Sequence, residues 1–81
     1  LDPNDAAAYN NRGNSYSELG QNERAIEDYD KTIELDPNDA IGYYNRGDSY
    51  SELGQHERAI EDYDKAIALD SNLAGAYRNR L

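Results

Sequence analysis

The sequence predicts an all-α fold, an α-solenoid of antiparallel helix pairs about two and a half repeats long. Residues 1–34 and 35–68 align without a gap, with 27 of 34 paired positions identical, and residues 69–81 begin a third copy. A fixed period of this length is the signature of a stacked array. Apolar residues make up 37% of the chain and recur at helical rather than alternating spacing. They are Ala, Ile, Leu and eight Tyr, with no Val, Phe, Trp, Met or Cys. Such a set favours helices over strands.

The elements follow in order. Asp5 or Asn4, just after Pro3, can cap a first helix. That helix is expected to run through Tyr9, Gly13, Tyr16 and Leu19, and Gly20 ends it by taking the left-handed conformation cheaply. A second helix is expected from about Glu23 to Leu35, with Ala25, Ile26, Tyr29, Thr32 and Ile33 on its inner side. Asp36-Pro37 stops it, since proline restricts the residue before it and lacks a backbone donor. The second copy repeats this with Gly54, Ala59, Ile60, Tyr63 and Ala66, and a weaker stop where Ser71 replaces proline. A short third helix is expected over Ala74 to Leu81. Short turns make neighbouring helices antiparallel. The 81 residues thus read as one domain: repeat one 1–34, repeat two 35–68 and a partial third repeat 69–81. Gly13 with Ala25, and Gly47 with Ala59, permit close backbone approach. Tyr16, Tyr29, Tyr50 and Tyr63 fill the space beside them, and each hydroxyl must reach water or a partner.

Charge narrows the partners. Seventeen acidic residues against eight basic ones give a net charge of -9. Nucleic acid needs a basic footprint, so it is excluded as a partner, and an anionic membrane surface is disfavoured likewise. No stretch reads as a membrane span or a signal peptide. The missing initial methionine suggests a processed or excised piece. Absence of cysteine removes disulfides and cysteine-based zinc sites, and it is compatible with a reducing compartment, so the cytoplasm is favoured.

The first copy reads Tyr9, Arg12-Gly13, Tyr16, Ala25, Tyr29, Pro37, and the second reads Tyr43, Arg46-Gly47, Tyr50, Ala59, Tyr63, Ser71. This resembles the tetratricopeptide repeat (TPR), whose signature places an aromatic, Leu-Gly, Tyr, Ala, an aromatic and Pro on a 34-residue period. The resemblance covers essentially the whole chain. Two departures stand out: arginine replaces leucine twice, and Ser71 replaces the second proline. The pattern "NRG…Y…LG…A…DY" matches a subset of these repeats.

The arginine falls on the face that meets the partner helix, where an unpaired buried charge would cost several kcal/mol, on the order of what one unsatisfied ion costs. Each copy offers a partner: Asp28 just before Tyr29, and Asp62 just before Tyr63. Structural pairs Arg12–Asp28 and Arg46–Asp62 are therefore expected, with each guanidinium near tyrosine rings. Arg80 occupies the same place in the third copy.

In the family, the first helices of successive repeats line a concave groove for an extended peptide or a partner helix. The resemblance places Ala7, Asn10, Asn14, Ser17 and Glu18 there, then Ile41, Tyr44, Asp48, Ser51 and Glu52, then Gly75 and Arg78. Three of the seven differing pairs, 7/41, 10/44 and 14/48, fall at these places. Either the groove varies to read a ligand, or exposed positions drift. A family subset clamps a C-terminal carboxylate with lysines, asparagines and an arginine. Asn14 and Asn45 match two of its places, but its three basic places hold Asn10, Gly75 and Asn79. Without cations the charge-assisted bonds are lost, so that activity is not expected. Glu18, Asp48 and Glu52 favour a polar or basic segment, with Tyr44 as its aromatic anchor.

Other chemistries find no support. The run "IEDYDK" lies mid-helix and lacks the spacing and glycine of a calcium loop. His56 is the single histidine, and its counterpart in the first copy is Asn22. Ser15, Ser17, Ser49 and Ser51 lie on helices with no base at hand. No enzyme, metal or cofactor is expected. The leading reading is a protein-interaction module. The alternative is a structural, self-assembling repeat fragment that stacks head to tail or exchanges its last helix, since repeats need neighbours to bury their faces.

Overall fold

The computed structural model describes residues 2–72, which form four α-helices: α1 (Ala6–Glu18), α2 (Asn22–Leu35), α3 (Ala40–Glu52) and α4 (His56–Leu69). They make two antiparallel pairs, α1 with α2 and α3 with α4, and α3 also packs on α2. This is the all-α solenoid of antiparallel helix pairs that the repeat period predicts. The short helix expected over Ala74 to Leu81 lies outside the described residues. No helix among the described residues is long and apolar enough to cross a membrane.

Local chemistry accounts for each boundary. Asp5, not Asn4, caps α1 by accepting a hydrogen bond from Ala8 N at 3.2 Å, and Asp39 caps α3 in the same way through Ile41 N and Gly42 N. Helix α1 ends at Glu18, one residue before Leu19, whose role is the C-cap. Gly20, at φ 77°, then lets Gln21 N reach back to Tyr16 O at 2.9 Å while its own N reaches Ser17 O at 3.0 Å. Gly54 repeats this after α3 at φ 78°. Both are left-handed caps that satisfy the last carbonyls of the helix.

The weaker stop expected at Ser71 does not appear. Helices α2 and α4 both end at leucine, followed by an aspartate that has left the helical conformation. Asp36 Oδ1 accepts from Asn38 N at 3.3 Å, and Asp70 Oδ1 accepts from Asn72 N at 3.0 Å. The Asp-x-Asn turn carries the stop, and proline adds only to it.

The core holds Ala25, Tyr29, Ala59, Tyr63 and Ala66, all at most 2% exposed. Small residues let the helices of a pair approach. A Cβ on Gly13 would lie 2.7 Å from Tyr29 Cε1, and one on Gly47 would lie 2.8 Å from Tyr63 Cε1. Thr32 is fully buried, and its hydroxyl donates to Asp28 O at 3.0 Å and Ala6 O at 3.4 Å. Ile60 departs from the inward placement expected of it, at 41% exposed. Its counterpart Ile26 is half-buried because α3 lies against α2, whereas no described helix lies beyond α4. Leucine at the end of the first helix splits likewise. Leu19 is 70% exposed, while Leu53 is half-buried and borders a hollow of about 430 Å³ beside Gly20–Arg24.

Candidate functional site

Two kinds of site residue were expected: ion pairs between the helices of a repeat, and a groove along α1 and α3. The structure places Arg12 against Asp28, with Nε donating to Oδ2 and Nη2 to Oδ1, both at 2.8 Å. Arg46 meets Asp62 in the same fork at 2.9 and 2.7 Å. The two members of each pair differ in burial. The Asp28 and Asp62 side chains are 6% and 7% exposed, whereas Arg12 is 47% and Arg46 21% exposed. The carboxylate is the more deeply buried partner in each pair. In each case the hydrogen bond to the aspartate is the foremost cause of a raised arginine pKa, with burial opposing it. Both guanidinium groups lie beside tyrosine rings. Arg12 is 5.7 and 6.0 Å from the Tyr9 and Tyr16 centroids, and Arg46 is 5.5 and 5.9 Å from those of Tyr43 and Tyr50.

Two features of this network escape sequence reasoning. Arg24 and Arg58 approach Tyr16 and Tyr50 from the second helix, at 5.7 and 5.5 Å, so each of these rings has two guanidinium neighbours. Arg46 Nη1 also donates to Asp30 Oδ1 on α2 at 2.9 Å, an ion pair between repeats. The acidic run "EDYDK" holds the signal for it. Two aspartates flank one tyrosine, and they face different arginines.

The groove lies between α1 and α3. A cavity of about 670 Å³ is lined by Ser17, Glu18, Gly20, Asn22, Asp48, Ser51, Glu52 and Tyr63. A second, of about 230 Å³, is lined by Asn14, Ser17, Glu18, Tyr29, Asn45 and Asp48. The two share Ser17, Glu18 and Asp48, so they are parts of one depression. Its floor is hydrogen-bonded: Tyr29 Oη donates to Asn14 Oδ1 at 2.7 Å, and Tyr63 Oη to Asp48 Oδ1 at 2.5 Å. Asn45 Nδ2 donates to Asn10 Oδ1 at 3.2 Å and ties the walls together at that level. Burial foremost, and the nearby Asp48 carboxylate next, push the Tyr29 phenol up to about 12, with Ser17 opposing.

Tyr44, expected as the aromatic anchor, lies beside a ring of the groove floor. It is half-buried, packs on the core around Tyr63, and holds its ring 5.9 Å from that of Tyr63 at 47°. Tyr63 forms both the core edge and the groove floor, so Tyr44 touches the core and the groove at once. Ala7 and Ile41 are exposed. Gly75 and Arg78 lie outside the described residues. Among the described residues, no group of His, Cys, Asp and Glu side chains is arranged to hold a metal ion.

Comparison with known proteins agrees with this architecture. A family model described as "TPR repeat" matches residues 13–54, and another described as "Tetratricopeptide repeat" matches residues 40–73. No curated protein matches the chain. Among solved structures, the second TPR of Spaghetti (RPAP3), bound to HSP90 peptide SRMEEVD, is 35% identical with a TM-score of 0.91, over 93% of this chain and 69% of that one. MamA is 31% identical with a TM-score of 0.96, over 99% of this chain and 47% of its own. The TPR2AB domain of yeast Sti1, in complex with pHSP90, is 32% identical with a TM-score of 0.90, over 93% of this chain and 29% of its own. The chain thus spans less than half the length of the MamA and Sti1 chains. By repeat period, helix pairing and family match, the chain belongs to the tetratricopeptide-repeat family.

Proposed function

We propose that this chain is a protein-interaction module that holds a basic or polar peptide, or the basic face of a partner helix, in the groove between α1 and α3. The carrying observation is the composition of the larger cavity, where Glu18, Asp48 and Glu52 stand around hydroxyls of Ser17 and Ser51. Charge-assisted hydrogen bonds from lysine or arginine to such carboxylates are the strongest polar contacts the groove can offer. Complementary charge also speeds encounter and rejects acidic competitors.

The solved relatives support peptide binding in a groove of this kind, since three of them are TPR domains in complex with HSP90 or HSP70 peptides. Their ligands SRMEEVD and SGPTIEEVD end in acidic residues. The acidic groove here opposes such an end, and Asn10 stands where the carboxylate-binding families carry a cation. Ligand class therefore differs while the mode of binding is kept.

Selection from a random peptide library on immobilised protein tests this. Enrichment of lysine- or arginine-containing sequences, lost in the Asp48→Asn, Glu52→Gln double variant, is the expected result. Enrichment of acidic C-terminal sequences, or no enrichment at all, would defeat it.

A further inference from the structure

Helices α1 and α3 are the walls of the groove, yet they touch each other little, and each packs chiefly on other helices, α2 among them. Apart from the hydrogen bond of Asn45 to Asn10, the width of the groove therefore depends on how α3 sits on α2. Near its start α3 lies close, since a Cβ on Gly42 would come within 3.4 Å of Thr32 and Ile33. One turn further, Arg46 on α3 reaches Asp30 on α2. Beyond Arg46 the larger cavity opens, with Ser17 and Glu18 on one side and Ser51 and Glu52 on the other.

An exposed ion pair usually contributes little, because ordering two side chains cancels the Coulomb gain. Arg46 differs in being ordered already. Its Nε and Nη2 are held by Asp62, and the rings of Tyr43 and Tyr50 lie beside it. The third contact, from Nη1 to Asp30, orders only a short aspartate. Arg12 is the internal comparison. It grips Asp28 in the same fork, makes no ion pair with another repeat among the described residues, and is 47% exposed where Arg46 is 21%.

We infer that the Arg46–Asp30 bridge is a positioning tie between repeats, which fixes the tilt of α3 on α2 and so the width of the groove. Neither residue lines the cavities. The consequence for ligand binding rests on the peptide reading given above, whereas the consequence for width does not.

The chain has no cysteine, so spin labels can be placed at Glu18→Cys and Glu52→Cys without a background. Pulsed electron resonance then reports the distance distribution across the groove. Asp30 is 54% exposed, so Asp30→Ala leaves no vacated core. In Asp30→Ala and in Asp30→Asn the distribution shifts or broadens at low salt, and Asp30→Glu keeps the native one. The unsubstituted labelled protein drifts toward the Asp30→Ala form at about 1 M salt, where the screening length falls to about 3 Å. Distributions of Asp30→Ala and Asp30→Asn that superpose on the native one at low salt would overturn the tie. Titration of unlabelled protein with an oligolysine peptide separates the two readings. If the groove widens in Asp30→Ala but the native protein binds no peptide, the peptide reading fails and the tie stands. If the peptide binds and the distance does not change, the tie fails alone. Where both hold, Asp30→Ala weakens peptide binding by up to about tenfold.

Discussion

Arg46 grips Asp62 through two parallel hydrogen bonds, and the aspartate it holds is almost wholly buried. Removing the acid leaves the arginine with Asp30 and partial access to water. Asp62→Ala is expected to cost about 2 kcal/mol, below the roughly 3–5 kcal/mol of a fully buried pair that loses one partner. Arg46→Leu combined with Asp62→Ala should recover part of that loss, since leucine needs no acid. Arg12 is more exposed, so Asp28→Ala should cost less than Asp62→Ala, and Arg12→Leu with Asp28→Ala should again recover. Thermal melts of the single and double variants decide this. Strictly additive losses would mean that the pairs are not coupled.

Gly47 and Gly42 should respond oppositely to the same substitution. A methyl group at Gly47 would meet Tyr63 at 2.8 Å, and overpacking of this kind costs about 1–3 kcal/mol. At Gly42 the nearest atoms lie at 3.4 Å, an ordinary contact, and Ala8 already fills the matching place in repeat one. Gly42→Ala should be neutral or stabilising by up to about 1 kcal/mol, because alanine is the better helix former. Denaturant unfolding measures both, and a destabilised Gly42→Ala would show the repeat junction to be tighter than described.

These glycines show what was legible in the sequence. Periodicity and punctuation revealed the four helices, because Gly20 and Gly54 each supply a left-handed cap and Asp36-Pro37 supplies a stop, whereas the Asp-x-Asn turn that both stops share emerged only from the structure. The partners of Arg12 and Arg46 could be read because each copy places an aspartate just before a core tyrosine, Asp28 and Asp62. Asp30 could not, since its bridge crosses from one repeat to the next, and a period read within a copy does not show which face meets the neighbour. The differences 8/42 and 32/66 became intelligible only in three dimensions. Thr32 on α2 meets Gly42 on α3, so a larger residue on one helix faces the smallest one on the other. The contact of Tyr44 with Tyr63 was hidden for the same reason, since its place in the period suggests the groove and says nothing of the core ring beside it.

Alkaline pH should loosen repeat one. The folded state holds the Tyr29 phenol proton more tightly than the unfolded chain, at about 12 against a usual value near 10. The stability this contributes is complete below about pH 10 and is lost as pH rises through about 12. Tyrosinate absorbance and helicity, followed together, should show a late-titrating tyrosine whose ionisation accompanies loss of helix. That late step should vanish in Tyr29→Phe, and its persistence would assign it to another tyrosine.

Leu19 and Leu53 end their helices identically but have different surroundings. Leu19→Asp should change the melting temperature little, since its side chain is largely in water. Leu53→Asp places a charge beside Gly20 and Glu27 in the junction hollow, and should cost about 1–3 kcal/mol. Equal melting shifts for the two variants would show that the junction does not depend on Leu53.

The groove reading is tested most directly by mapping a bound peptide residue by residue. Amide chemical shifts of labelled protein, titrated with a lysine-rich peptide at low salt, should move at Ser17, Glu18, Asp48, Ser51 and Glu52, with little change at Glu27, Glu34, Glu57 and Glu61 on α2 and α4. Shifts spread evenly over the acidic residues of all four helices would mean diffuse attraction to a chain of net charge -9, and would contradict a built groove.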